Sequence, residues 1–451
     1  MAPLVFKVHR HEPELIKPAK PTPHEFKLLS DIDDQDGLRV QIPLIHLYNY
    51  HPSMQENDPV RVIKQALAET LVFYYPFAGR VRELADSNRK LVVECTGEGV
   101  LFVEAVADVR LDQFGDDAVI GPPFPCFDEL LFDVAGSSGI LDCPLLLIQA
   151  TLLKCGGIIL AVRLNHTISD GGGYLQFWSS LGEIARGAHA PSVLPIWDRH
   201  LLNARDPPHV TCVHHEYVDL VDTEEQIPLA EKDHRSFFFG PVEIASLRRC
   251  APPHLHHCST YELITASFWR CRAISLQPNP NEEMRVICIV NARNKFNPPI
   301  PDGYYGNCIA YSAAVARAED LCKKPLGYAL ELVKQAKEYV TEEYMRSVAD
   351  LMVIKGRPWY TMVRTFLVSG VGKVRFDEVD FGWGRAVYAG PAKGHVASFH
   401  MGVRNKKGED GILVTLCLPK LAMQMFVKEL DSMLRENPHN AQNKAKMSSA
   451  L

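Results

Sequence analysis

The 451-residue chain lacks the features that mark several common functions. No apolar run approaches the roughly 18 residues that a membrane-spanning helix needs. The start, Met1-Ala2-Pro3-Leu4-Val5-Phe6-Lys7, has no secretory apolar core, so no leader is expected. No dense Lys/Arg run occurs and the net charge is -6, which argues against a nucleic-acid surface. The 12 cysteines stand singly, without a Cys-x-x-Cys pair. Several, such as Cys95, Cys288 and Cys417, fall inside strand-like runs and read as reduced, buried thiols. There is no Gly-x-Ser-x-Gly elbow, so serine-hydrolase chemistry lacks its usual signature. Neither Gly-x-x-x-x-Gly-Lys-Ser/Thr nor Gly-x-Gly-x-x-Gly joins a strand to a helix, so ATP and dinucleotides are not favoured.

What remains is ordinary globular material. The chain is 47% apolar and 23% charged, enough for one large domain or two. Asp58-Pro59 predicts a helix start, with Val60, Ile63, Leu67, Leu71 and Tyr74 at helical spacing. Leu91 to Ala105 reads as a hairpin around Thr96-Gly97-Glu98-Gly99, and Leu145 to Leu164 as another turning at Cys155-Gly156-Gly157. Gly171 to Ala188 and Glu262 to Ala273 read as helices. Leu326 to Leu351 reads as one long helix, and Met423 to Leu434 as a final amphipathic one. Asp198 to Thr211 reads as a crossover linker, and the chain from Asn437 as a frayed tail.

The densest motif is His166-Thr167-Ile168-Ser169-Asp170-Gly171, placed just after an apolar strand. A strand end followed by glycines exposes a side chain, and neutral imidazole is suited to taking a proton near pH 7. The spacing alone leaves three roles open: a base with a structural partner, two metal ligands, or a chance polar pair. Other histidines do not complete a metal set. His209, His214 and His215 fall in the linker, and His254, His256, His257 and Cys258 read as a solvated loop, so no metal is expected. A second motif, Asp380-Phe381-Gly382-Trp383-Gly384, reads as a tight turn fixed by Asp380.

These two motifs, in this order, resemble the plant BAHD acyl-CoA-dependent acyltransferases, alcohol acyltransferase branch. Further stretches carry the likeness: Pro18-Ala19-Lys20-Pro21-Thr22-Pro23, Leu29-Ser30-Asp31-Ile32-Asp33-Asp34-Gln35, Tyr75-Pro76-Phe77-Ala78-Gly79-Arg80, Val290-Asn291-Ala292-Arg293 and Gly303-Tyr304-Tyr305-Gly306-Asn307. The resemblance implies an α/β fold of two similar chloramphenicol-acetyltransferase-like domains with a central solvent channel at their interface. Residues 1–197 would form the first domain, completed by a crossing segment near 375–402. Residues 198–215 would be the linker and 216–451 the second domain.

The implied activity is acyl transfer to an alcohol, with benzoyl-CoA and benzyl alcohol favoured. Acyl-CoA would be a co-substrate, with no tightly bound cofactor. His166 would be the base. Asp170, at the same catalytic turn, would face away from substrate and pair with Arg293. Asp380, Gly382, Trp383 and Gly384 would support the fold. Asn307 or Trp383 would donate to the oxyanion. Ser259 and Thr260 would lie near CoA, or else cap a helix. Lys355 and Arg357 would meet the CoA phosphates, or be solvated loop charges. After Gly394 this chain has a shorter loop than such relatives, and His400 stands where an aromatic is common. That loop is expected near the channel wall. An amine acceptor, acyl-CoA binding without turnover, and a metal hydrolase are the competing readings. A cytoplasmic monomer is expected, and the Ser449-Ala450-Leu451 end offers the peroxisome as an alternative.

Overall fold

The computed structural model describes residues 4–85, 88–114, 119–220, 228–372, 374–394 and 397–435. The tail from Asn437, and His395 and Val396 of the short loop, lie outside the described residues. Two large mixed sheets dominate. The first has seven strands, in the order Val8–Arg10, Val100–Ala107, Leu146–Leu153, Ile158–Asn165, Gln41–Tyr48 and Tyr388–Pro391, with Glu14–Ile16 also on Val100–Ala107. The second has six, in the order Lys232–Phe239, Asp410–Pro419, Ser398–Arg404, Thr365–Gly370, Glu283–Asn291 and Ile309–Arg317.

Tyr388–Pro391 comes from late in the chain yet pairs antiparallel with Gln41–Tyr48, Pro391 facing Leu44. The next strand, Ser398–Arg404, returns to the second sheet. The late chain thereby ties the two sheets together.

The strand before His166 is apolar on both sides, which is why it reads as a continuous run. Leu160, Val162 and Leu164 pack on one face, in a core shared with the helices Pro59–Phe73 and Gly171–Ala185. Ile159 and Ala161 point the other way, in a core that also holds Met401 and Leu413 of the second sheet. The first of these helices starts as expected. The Asp58 carboxylate accepts the Val60 N–H at 3.0 Å, and Pro59 takes the first helical position.

Two expectations fail. Leu91 to Ala105 is not a hairpin. Leu91–Glu94 pairs with Phe26–Leu28 and Arg80–Glu83 in a small third sheet, while Val100–Ala107 joins the seven-stranded one. Gly99, at φ +103°, carries the chain between sheets, and a Cβ there would strike the Ile16 carbonyl. The expected helix over Leu326 to Leu351 is two, Leu326–Tyr339 and Glu342–Lys355. Thr341 is extended, and its hydroxyl accepts the Tyr344 N–H at 3.2 Å. A threonine cap followed by Glu342 and Glu343 is a helix start, and it prevails over the continuous apolar stripe.

Candidate active site

His166 follows the last residue of Ile158–Asn165, and its backbone N–H donates to the Val40 carbonyl at 2.9 Å. The residue is half-buried, and its Nδ1 is enclosed without a hydrogen-bond partner. Burial pushes the imidazole below its ordinary pKa. Nearby backbone carbonyls, the Asp170 charge and the Asn307 amide oppose that without cancelling it. His166 is therefore neutral at pH 7 and able to accept a proton.

Asp170 does not touch the ring. Arg293 Nη1 and Nη2 donate to its two oxygens at 2.7 and 2.8 Å. The backbone N–H groups of Gly173 and Cys308 donate at 2.9 and 3.0 Å. Burial alone would raise the carboxyl pKa, but Arg293 and these N–H groups hold it below the usual range. Asp170 also caps the helix Gly171–Ala185. Gly173 is needed for close approach, since a Cβ there would run into the Tyr305 carbonyl.

The same helix meets the second motif at its far end. Asp380 Oδ1 accepts the backbone N–H groups of Gly382, Trp383 and Gly384 at 2.7, 3.0 and 2.8 Å. Gly382 and Gly384 have φ of +104° and +90°, where glycine is strongly preferred. The Asp380 carbonyl accepts from Arg186, and Phe381 packs edge-on to Trp178 at 5.6 Å. A Cβ at Gly182 would press on that same carbonyl at 2.7 Å. From Gly171 to Gly182 the helix rises about 17 Å.

This placement corrects one oxyanion expectation. Trp383 stacks on Phe381 at 5.5 Å and meets Tyr48 at 6.2 Å, at the opposite end of the helix from His166. It is too far away to donate to a group reacting there. Asn307 is adjacent to the base, but its amide is committed. Nδ2 donates to Asp33 Oδ1 at 2.9 Å and to the His166 carbonyl at 2.8 Å.

Other expected residues fall as follows. Ser259 caps Thr260–Leu276 in a reciprocal pair: its N–H donates to Glu262 Oε2 at 2.8 Å, and its hydroxyl accepts the Glu262 N–H at 3.3 Å. Thr260 is the first helical residue and half-buried. Arg357 is buried against Asp31 and Asp34 at 2.9 and 2.6 Å, so it is unavailable to a phosphate, whereas Lys355 is exposed. His400 is buried. It pairs across the sheet with Val414, beneath Tyr261 and Phe268 at 5.1 and 6.4 Å, because strand side chains alternate and its neighbour Met401 takes the other face. No group of three or more His, Cys, Asp or Glu side chains is arranged to hold a metal among the described residues.

A transferase family model matches residues 6–433. This chain belongs to the BAHD acyltransferase family. The benzyl alcohol O-benzoyltransferases of Petunia hybrida and Nicotiana tabacum are 65% and 63% identical to it, each match covering 96% of this chain and 95% of the relative. An alcohol acyl transferase of Malus domestica is 54% identical over 97% of this chain and 96% of its own length. Among solved structures, vinorine synthase superposes with a TM-score of 0.73 at 24% identity, over 95% of this chain and 98% of the other, which shows the shared two-domain fold. This BAHD acyltransferase is thus an enzyme that transfers acyl groups. Among its described residues no helix is long and apolar enough to cross a membrane.

Asp33 and Arg199, to which the sequence assigned no role, are both buried beside Asn307 and the His166 turn. The available signal was the run of acids Asp31, Asp33, Asp34 and Asp36 between Leu29 and Leu38. Asp33 and Arg199 lie 166 positions apart, so their pairing is not visible in the linear chain.

Proposed function

We propose that this enzyme moves an acyl group from acyl-CoA to the hydroxyl of a small alcohol, with benzoyl-CoA and benzyl alcohol as the favoured pair. The names of the relatives from Petunia hybrida and Nicotiana tabacum support that pair. The observation that carries the chemistry is a neutral, half-buried His166 whose neighbouring aspartate is fully engaged elsewhere. Such a histidine acts alone, unlike the base of a Ser-His-Asp triad.

In this reading His166 takes the alcohol proton as the oxygen attacks the thioester carbonyl. The tetrahedral intermediate then expels the CoA sulfur, which receives the proton back from the imidazolium. One imidazole serves both steps, and no acyl-enzyme forms. Acyl-CoA is a co-substrate, and the structure of F. graminearum TRI101 complexed with coenzyme A and deoxynivalenol, similar at a TM-score of 0.68, supports that assignment by fold. We place the reaction in a channel between two domains, residues 1–197 with the crossing segment and residues 216–451, joined by 198–215. A cavity of about 300 Å³ lies between Pro122, Phe124 and Phe127 on one side and Thr415 and Leu416 on the other, and its lining includes no residue of the His166 turn.

The test is a panel of acyl-CoAs offered with alcohols and amines in pairs, reading thiol release together with ester or amide. Ester from benzoyl-CoA and benzyl alcohol bears the reading out. CoA binding without any product refutes it, and amide as the main product reassigns the acceptor. The 12 free thiols fit a reducing compartment, the cytoplasm. Fluorescent fusions at either end decide between that and the peroxisome.

A further inference from the structure

Asp33 is fully buried, and a buried carboxylate needs partners to be tolerable. It has five donors. Oδ2 accepts the Ser30 backbone N–H at 3.0 Å and the Ser30 hydroxyl at 2.6 Å. Oδ1 accepts Arg199 Nη1, the Asn307 backbone N–H and Asn307 Nδ2, each at 2.9 Å.

Two of these donor groups continue to the catalytic turn. Asn307 Nδ2 also donates to the His166 carbonyl at 2.8 Å, and Arg199 Nη2 donates to the Ile168 carbonyl at 2.8 Å. The carbonyls on either side of Thr167 are therefore gripped by groups that one carboxylate oxygen aligns. We propose that Asp33 and Arg199 are positioning residues for His166, forming a second bracket on the turn that is separate from Asp170 and Arg293. The proposal rests on His166 being the base.

Three observations give the bracket its rigidity. The Arg199 guanidinium lies over the rings of Trp197, Tyr305 and Tyr304 at 4.4, 5.1 and 5.3 Å, so its plane is set by packing. A Cβ at Gly306 would run into Arg199 Nη1, so that glycine makes room for it. The turn's own bonds are few. The Ile168 N–H reaches the Asn165 carbonyl at 3.2 Å, and the Thr167 N–H and hydroxyl both use the Asn165 side chain. Asp170 and Arg293 secure the exit of the turn, at the helix start. Asp33 and Arg199 secure its middle, where the backbone of the base itself is set.

A flat two-pronged donor is required, because Nη1 and Nη2 serve different acceptors at once. Lysine would supply the charge that Asp33 needs, but its three donors radiate from one nitrogen instead of lying on two held in a plane. Misplacing a reacting group by about 1 Å costs on the order of 100-fold in rate.

The test compares wild type, Arg199→Lys, Asp33→Asn and His166→Ala for folding, by circular dichroism and thermal unfolding, and for kcat and both KM values. Ester formation by wild type and its loss in His166→Ala establish the underlying reading first, and failure there sinks that reading and not merely the bracket. Given that result, Arg199→Lys and Asp33→Asn are expected to fold, with kcat reduced about 10- to 100-fold and each KM within about threefold. Their double variant is expected to lose little more than either alone, since the two residues act as one unit. An unchanged kcat in folded Arg199→Lys overturns the proposal, as does a loss confined to KM. If Arg199→Lys fails to fold, or its lost rate matches its unfolded fraction, the role is purely structural and the proposal is wrong.

Discussion

Asp170 gives both carboxylate oxygens to Arg293, 123 positions further along the chain, and none to the histidine four residues before it. This geometry separates two jobs that the motif places side by side. The imidazole is left to do chemistry, and the carboxylate joins the start of a helix to the distant chain around Gly306 and Cys308.

Breaking that pair is expected to damage the fold and the rate together. Asp170→Ala strands a largely buried Arg293 and should lower stability by about 3–5 kcal/mol. Arg293→Ala should mimic it, and the double variant should cost less than the sum. Denaturant unfolding of the three proteins measures the coupling.

Replacing the base should do the opposite. His166→Ala removes no protein hydrogen bond made by the ring's enclosed Nδ1, so the unfolding midpoint should stay near wild type while turnover falls by about 100- to 10,000-fold. Because burial holds the His166 pKa down, kcat/KM of wild type should stay level as pH falls past 6.5 and decline only below it. A pH-rate profile with its acid limb above the ordinary imidazole value would contradict this.

Acid should destabilise the protein through two other histidines. Burial pushes His46 and His400 down to about 3 from an ordinary 6.5. Between those values the unfolded chain binds protons that the folded chain refuses, so stability falls as pH drops through this window. Each group contributes a slope of about 1.4 kcal/mol per pH unit there. His400→Phe, which removes a ring with neither nitrogen partnered, should reduce the slope by one group's share. Unfolding free energies at pH 6, 5 and 4 measure it.

The turn at Asp380 should prove to be structural. Asp380→Ala withdraws the acceptor of three backbone N–H groups, and Gly384→Ala places a Cβ at φ +90°, so each should cost about 1–3 kcal/mol. Trp383→Phe should keep kcat within a few-fold once folded. A loss of 100-fold or more at unchanged stability would make it an oxyanion donor after all.

Much of the molecule was legible because its signals are local. The Asp58-Pro59 start, the hairpin carrying His166 and the final amphipathic helix all declare themselves within about 20 residues. The misreadings came where a local signal had a competitor. At Thr341 a capping sequence interrupted an apolar stripe that would otherwise run on, and at Gly99 a positive φ sent the chain to another sheet.

The sequence by itself determined the chemistry on offer: an imidazole at a strand end, an aspartate at a helix start, and a glycine-bounded tryptophan turn. These follow from periodicity, capping and the conformational freedom of glycine, all properties of neighbouring residues. Only the tertiary structure decided how they are used. It brought Arg293 to Asp170, Asp33 and Arg199 to the carbonyls of the turn, and Trp383 to the far end of the helix from the base. Those pairings depend on the electrostatics of burial. A charge withdrawn from water must find its partner in space, and the partner lies far along the chain.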